Sequence, residues 1–289
     1  MTQRRLDHEL VARGLAPSRS QAQQLIRAGL VEADGRVVVK ASASVGPGVH
    51  LAISAVDETA GHQDLGGAGW IMRGWVGRGA VKLEHALTRW GPTGLGVAGR
   101  RCLDVGASTG GFTQVLLEHG AASVTALDVG RDQLDTRLRE DPRVIDRPGT
   151  SVRDVGPDDL GGPFDVVVAD LSFIYLSLVL PGLARLTVDG GHLMLLVKPQ
   201  FEVGRLALGS AGVVRSGQAR AQVLDRLDRE ARESGLTPVD LDRSPVTGAR
   251  GNIEYLWWLR VCPTGMMDCG RAPDELAARR RELRGQEEP

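Results

Sequence analysis

The sequence predicts an α/β protein: a doubly wound, Rossmann-like sheet preceded by a small α+β module. Three observations carry that expectation. The run Arg101-Cys-Leu-Asp-Val-Gly-Ala-Ser-Thr-Gly-Gly-Phe112 passes from an apolar strand through a glycine turn into a helix starting near Thr113, the first β-turn-α of such a sheet. Two further runs, Pro163-Phe-Asp-Val-Val-Val-Ala-Asp170 and His192-Leu-Met-Leu-Leu-Val-Lys-Pro199, have the near-continuous hydrophobicity of buried parallel strands. Residues 1 to about 55 instead show helical spacing followed by a hairpin signal.

Taken in chain order, Leu6, Leu10 and Val11 make one helical face closed by Gly14. Pro17 and Ser18 start a second helix that carries Ala22, Leu25 and Ile26 and stops at Gly29. Leu30-Val31, the Asp34-Gly35 turn and Val37-Val38-Val39 form the hairpin. Here Arg4, Arg5, Arg13, Arg19, Arg27, Arg36 and Lys40 outnumber Asp7, Glu9, Glu32 and Asp34, an excess opposite in sign to the chain's net charge of −1. The segment reads as a compact RNA-binding module whose cations meet phosphates, contacts that position RNA without reading its sequence. A solvated basic face is the bland alternative.

Residues 56–72, with Gly61, Gly66, Gly67 and Gly69 and no periodic pattern, read as a flexible linker. The expected organisation is an RNA-binding domain at 1–58, an interdomain linker at 59–76, the α/β domain at 77–263, and a tail at 264–289 that is helical or disordered. The linker ends in Arg73-Gly-Trp-Val76, where Trp75 either packs between domains or stacks on RNA. A helix through Leu83, Ala86 and Leu87 follows, with Lys82 in its first turn, where the helix dipole disfavours a cation.

The glycine spacing selects among ligands for the sheet. A dinucleotide needs G-x-G-x-x-G so that its pyrophosphate sits on the helix N-terminus, whereas this chain has Asp104-x-Gly106-x-x-x-Gly110-Gly111. A carboxylate at Asp104 repels a pyrophosphate and attracts a cationic amino-acid moiety. S-adenosyl-L-methionine carries an ammonium, a sulfonium and no phosphate, and fits where a dinucleotide does not. Its candidate contacts are Asp104, Gly106, Ser108, Gly110, Gly111 and Phe112, together with Asp128, which ends the second strand where ribose hydroxyls are held. A structural strand-to-helix turn in some other α/β enzyme is the competing reading.

The remaining elements follow the same alternation. A short polar helix around Leu134 and Leu138 leads to a third strand near Arg143-Val-Ile-Asp146. The strand ending at Asp170 delivers that acid to the crevice where such sheets bind ligands. Leu171-Ser-Phe-Ile-Tyr175 leads into a helix of Leu176, Leu180 and Leu183, and Lys198 ends the next strand. From Gln200 to Val214 the glycine-spaced chain reads as a mobile loop over the site. A helix over 218–233, a strand near 237–241 and a final strand from Asn252 to Arg260, with Glu254 at its start, complete the pattern.

Composition narrows the function classes. Of 35 basic residues, lysine supplies only Lys40, Lys82 and Lys198, and arginine cannot lose a proton as a tuned lysine can. Cys102, Cys262 and Cys269 are far apart without metal-ligand spacing, which argues for a reducing cytoplasm and against a disulfide frame or metal site. The N-terminus lacks an apolar export core, and no apolar run reaches the roughly 20 residues of a membrane span. The expected state is a cytoplasmic monomer with no membrane partner.

Lys198 and Lys82, with Asp170 and Glu254, form a candidate catalytic set. Methyl transfer to a ribose hydroxyl requires a base beside a poorly acidic alcohol and a donor held in line. Lys198 is the expected base, its proton made easier to lose by a second ammonium at Lys82 and by partial desolvation, while Asp170 and Glu254 orient the amines. Two ordinary salt bridges at strand ends are the alternative.

Two resemblances add to this. The run Arg5-Leu-Asp-x-x-Leu10, Gly14-Leu15, Ser18-Arg19-x-x-Ala22, Ile26-x-x-Gly29-x-Val31 and Asp34-Gly35 resembles the RNA-binding domain of ribosomal protein S4, which implies that Arg4, Arg5, Arg19 and Arg27 meet an RNA backbone. The blocks Arg78-Gly-Ala-x-Lys-Leu, Asp104-x-Gly-Ala-Ser-Thr-Gly-Gly-Phe, Ala169-Asp-Leu-Ser-Phe173, Val197-Lys-Pro-Gln-Phe-Glu-Val-Gly204 and Gly251-Asn-x-Glu-Tyr255 resemble TlyA-type ribosomal RNA 2′-O-methyltransferases of FtsJ-like fold, also labelled hemolysins. That resemblance implies a tetrad at Lys82, Asp170, Lys198 and Glu254, an interdomain tetrapeptide at Arg73-Gly-Trp-Val76 that couples RNA binding to cofactor binding, and cytidine ribose in ribosomal RNA or subunits as substrate. The chain departs from the family pattern at Thr150-Ser-Val-Arg153, where Ser151 replaces an expected Asn beside the adenine, and in the loop after Gly204. Two other readings are a ribosome-binding protein with a decayed catalytic half and, on the hemolysin label alone, membrane lysis.

Overall fold

The computed structural model describes residues 3–54, 68–204, 208–209 and 212–262. Two compact units divide the chain, Met1–Val81 and Lys82–Pro289. Gly61, Gly66 and Gly67 of the expected linker, the tail at 264–289, Cys269, and residues 205–207 and 210–211 of the expected loop lie outside the described residues.

In the first unit, β1 (Arg4–Arg5) pairs antiparallel with β4 (Ser44–Val45). Helices α1 (Leu6–Ala12) and α2 (Arg19–Arg27) follow β1, and Ser18 caps α2 by accepting the Gln21 amide. Strands β2 (Val31–Ala33), β3 (Arg36–Val37) and β5 (Leu51–Ile53) form a three-stranded sheet in the order β3-β2-β5, its hairpin turning at Asp34-Gly35. Leu6, Leu10, Ala22, Leu25, Ile26 and Val31 are fully buried, the apolar faces that the spacing marks out.

One expectation is corrected here. Gly69–Met72, inside the predicted linker, is a helical turn (α3) with Trp70 and Ile71 buried. Four residues are too few to show a period, so the turn was invisible to pattern reading.

The second unit is built on a seven-stranded sheet. Its strands are β6 (Arg101–Val105), β7 (Ser123–Asp128), β8 (Val144–Pro148), β9 (Phe164–Ala169), β10 (Thr187–Val197), β11 (Leu236–Arg243) and β12 (Tyr255–Val261), in the order β11-β12-β10-β9-β6-β7-β8. The five strands from β8 to β10 are parallel, and β12 runs antiparallel between β10 and β11. The helices are α4 (Gly79–Trp90), which crosses the division at Val81, α5 (Gly111–Glu118), α6 (Thr136–Arg139), α7 (Leu180–Arg185), α8 (Pro199–Glu202) and α9 (Gly217–Glu233). Strand order reverses between β6 and β9, the switch point at which open sheets of this kind bind ligands.

The core lies on the sheet. Leu103, Val105, Val167, Ala169, Leu193, Leu195 and Val197 are at most 1% exposed and pack with Leu180, Leu183, Leu227 and Trp257. The segment after Tyr175 is a 3₁₀ turn at Leu176–Leu178 followed by α7, because Pro181 suits the first turn of a new helix better than the interior of a continuous one. The predicted mobile loop begins with a helical turn, α8, that buries Pro199 and Glu202. Cys102 is a free, buried thiol, and Cys262 is disulfide-bonded.

Candidate active site

Register brings the site together. Ala169 pairs with both Val105 and Leu195, so Asp170 leaves β9 beside the end of β6. Val197 pairs with Tyr255, and because β12 is antiparallel to β10 its first residues lie beside the last residues of β10. Glu254 and Lys198 therefore flank the same edge of the sheet as Asp170, and Lys82 reaches them from the first turn of α4.

The four side chains form one cluster. Lys82 Nζ lies 2.9 Å from Glu254 Oε2 and 3.1 Å from Asp170 Oδ2, and Lys198 Nζ lies 2.6 Å from Asp170 Oδ1. Lys198 also donates to the Ser172 hydroxyl at 2.8 Å, and Gln200 donates to Glu254 Oε1 at 3.2 Å. Lys82, Lys198 and Glu254 are buried, Asp170 half-buried. Burial pushes the Asp170 carboxyl up, but Lys82 and then Lys198 outweigh it and hold the group below the usual carboxylate range. Buried ion pairs contribute little net stability after desolvation, so four charges at one strand edge favour a chemical role over a structural one.

Two glycines make room for this. A Cβ at Gly106 would lie 2.8 Å from the Asp170 carbonyl oxygen, so the turn after β6 and the strand end carrying Asp170 approach as only glycine permits. A Cβ at Gly248 would overlap Glu254 Oε1 and lie 2.7 Å from its Cδ.

Most of the expected cofactor residues belong to the turn after β6 and the start of α5. Gly106, Ser108 and Gly110 have positive φ, Gly110 directly precedes α5, and Gly111, Phe112 and Thr113 are buried in its first turn. Asp128, half-buried at the end of β7, accepts the Ser108 amide at 2.8 Å and the Gly130 amide at 2.7 Å. Ser151 is half-buried, and its hydroxyl accepts the Arg153 amide at 3.2 Å. Asp104 is fully buried beneath the turn, where Thr113 Oγ1, from the first turn of α5, donates to its Oδ2 at 2.7 Å. Its Oδ1 has no partner among the described residues. Burial raises this carboxyl to about 7 against the Thr113 hydrogen bonds, with the charges of Asp170 and Asp128 adding to the rise.

The arginines of the first unit are only partly free. Arg5 forms a bidentate pair with the fully buried Asp7 at 3.0 Å to each oxygen, Arg19 approaches the same carboxylate at 3.5 Å, and Gln23 donates to it at 2.8 Å. The Arg5 guanidinium holds the Asp7 carboxyl well below its usual range. Arg4 sits 3.7 Å from Glu9, and Arg27 is exposed in the last turn of α2. Trp75 is buried with the Arg73 guanidinium 5.1 Å from its ring centroid. Among the described residues no group of three or more His, Cys, Asp or Glu could hold a metal ion, and no helix is long and apolar enough to cross a membrane.

The FtsJ-like methyltransferase model matches residues 75–261, and the S4 domain model matches residues 4–51. The chain belongs to the FtsJ-like methyltransferases. This methyltransferase is 47% identical over 257 residues to the 16S/23S rRNA (cytidine-2′-O)-methyltransferase TlyA of Mycobacterium tuberculosis, covering 89% of this chain and 90% of that one. It is 35% identical over 254 residues to Hemolysin A of Brachyspira hyodysenteriae, covering 87% and 98%. A hemolysin-named structure from Streptococcus thermophilus superposes with a TM-score of 0.70 at 34% identity over the whole of both chains.

Sequence reasoning about this methyltransferase missed Ser172, Gln200 and Gly248, each of which touches or borders the tetrad. Ser172 and Gln200 stand two residues beyond Asp170 and Lys198, inside runs already singled out, so proximity to a strand end was the available signal. Gly248 had none beyond lying between the last two strands.

Proposed function

We propose that this chain is an S-adenosyl-L-methionine-dependent 2′-O-methyltransferase acting on cytidine ribose in ribosomal RNA, in cytoplasmic subunits or free RNA. The contact of Lys82, Asp170, Lys198 and Glu254 at the switch-point edge carries the reading. The similarity to a cytidine-2′-O-methyltransferase supports the substrate class. Residues 1–58 serve as the RNA-binding domain, residues 59–76 as the linker in which Arg73 and Trp75 couple RNA binding to cofactor binding, and residues 77–263 as the methyltransferase domain. The two family matches support the outer pair.

The residues at the turn fit the cofactor. The buried Asp104 leaves its Oδ1 without a partner among the described residues, an acceptor that a ligand ammonium can fill and that a pyrophosphate, which has no donor, cannot. Gly106, Ser108, Gly110, Gly111 and Phe112 shape the cradle, Asp128 faces the ribose, and Ser151 lies by the adenine. When bound, S-adenosyl-L-methionine supplies the methyl group.

Two carboxylates bracket Lys82, whereas Lys198 meets one carboxylate and the neutral Ser172 hydroxyl. Lys82, held between both acids, is the fixed ammonium, and Lys198, with a single carboxylate partner, is the residue assigned to take, in its neutral form, the proton of the 2′-hydroxyl. Asp170 orients both nitrogens through its two oxygens, and Glu254 anchors Lys82. Arg4, Arg5, Arg19 and Arg27 hold the RNA backbone. The test is methyl incorporation into ribosomal RNA and isolated subunits. Lys198→Ala is expected to lose roughly 10²- to 10⁴-fold, the usual worth of a general base, and equal activity in the variant refutes the assignment.

A further inference from the structure

Behind the tetrad a second set of contacts converges on Glu202. This residue ends α8, four positions beyond Lys198, and is 2% exposed. Its Oε1 accepts the Leu176 amide at 2.8 Å, and its Oε2 accepts Arg226 Nη2, from α9, at 2.7 Å. The same guanidinium nitrogen reaches the Glu202 carbonyl at 3.0 Å.

The segments 170–176 and 198–202 are thereby tied at both ends. At one end Lys198 holds Asp170 and Ser172; at the other Glu202 holds Leu176. Between them the rings of Phe173 and Phe201 stand 4.8 Å apart. The first segment lacks the means to fix itself. Ser172, Phe173 and Tyr175 are exposed, and Phe173 has φ +63°, a conformation that a bulky side chain keeps only when its surroundings impose it. A buried carboxylate is a costly group in a strand-end turn unless its hydrogen bonds are needed.

We propose that Glu202 is a positioning residue for the methyl transfer: through the Leu176 amide it sets the Asp170–Leu176 segment so that Asp170 and Ser172 meet Lys198. This rests on the reading of Lys198 as the base. Arg226 also ties the Glu202 backbone to α9 through the Glu202 carbonyl, a bond that side-chain substitution leaves in place, and the order of dependence for Lys198 is Glu202, Leu176, Ser172, Lys198.

The test compares Glu202→Gln with Glu202→Asp in the full chain. Glutamine keeps an oxygen within reach of the Leu176 amide and loses the charge opposite Arg226; aspartate keeps the charge and is one methylene short. We measure kcat and KM for ribosomal RNA, the pH profile of kcat, and S-adenosylmethionine affinity by calorimetry as a check of folding, with Lys198→Ala alongside. The expected result is Gln within about threefold of the wild-type kcat. Asp is expected to fall roughly 10- to 100-fold at unchanged KM and cofactor affinity, as for a small misplacement of reacting groups, and only its pH profile is displaced. Aspartate outperforming glutamine, or all three proteins agreeing while Lys198→Ala is inactive, overturns the positioning role alone. Full activity in Lys198→Ala overturns the base assignment and this inference with it.

Discussion

Asp104 offers a test of the site's electrostatics that needs neither substrate nor cofactor. Its carboxyl is fully buried, and that burial pushes it up to about 7 from the ordinary aspartate value of 3.8. Between those values the folded state keeps a proton that the unfolded chain has released. Stability therefore falls as pH rises from about 4 to about 7 and levels off above. The gap of about 3 units corresponds to about 4 kcal/mol at 1.36 kcal/mol per unit, a large share of a domain's stability.

Asp104→Asn has nearly the same shape, and its amide oxygen can still accept from Thr113. Its NH₂ replaces the unpartnered Oδ1 and adds a penalty of about 1–3 kcal/mol for an unsatisfied donor, but that penalty does not vary with pH. The difference in unfolding free energy, variant minus wild type, is therefore expected to rise by about 4 kcal/mol between pH 4 and pH 8. Urea titrations followed by tryptophan fluorescence at several pH values measure it, and groups common to both proteins cancel in the difference. A difference that stays flat across this range would show that Asp104 is ionised throughout, and the account of a desolvated carboxylate beneath the turn would be wrong.

Two further expectations follow from geometry. Gly248→Ala places a methyl group against Glu254 and should rotate that carboxylate off Lys82, lowering kcat roughly tenfold or more while cofactor affinity holds; unchanged kcat would mean that the Lys82–Glu254 contact is dispensable. Arg27→Ala removes an exposed cation from the last turn of α2 and is expected to weaken RNA binding at all sequences, reducing the slope of log affinity against log salt by about 1. An unaltered slope would place the RNA backbone elsewhere.

How much of this was legible in the sequence depended on the range over which each feature is encoded. The glycine turn, β6, β9, β10 and the two N-terminal helices follow from neighbours within a dozen residues, through apolar period and turn chemistry. Parallel strands share one carboxyl edge, so Asp170 and Lys198 could be brought together from chain order alone. The helical turn at 69–72 was too short to show a period. Arg5 and Arg19 stood out as cations, but their convergence on the buried Asp7 depends on α1 packing beside α2, a contact that charge counting does not register.

The sequence by itself determined the sheet, the cradle at Gly106–Gly111 and the residue types of the tetrad, because burial period and glycine placement are written locally. Only the tertiary structure decided that β12 inserts antiparallel between β10 and β11, delivering Glu254 to the edge where Lys198 ends, and that α5 closes over Asp104. Glu202 is likewise tied to Leu176 and Arg226 by the fold alone. These are pairings between segments far apart in the chain, and what selects them is which buried surfaces and polar groups can be satisfied together, a condition on the whole fold that no local window contains.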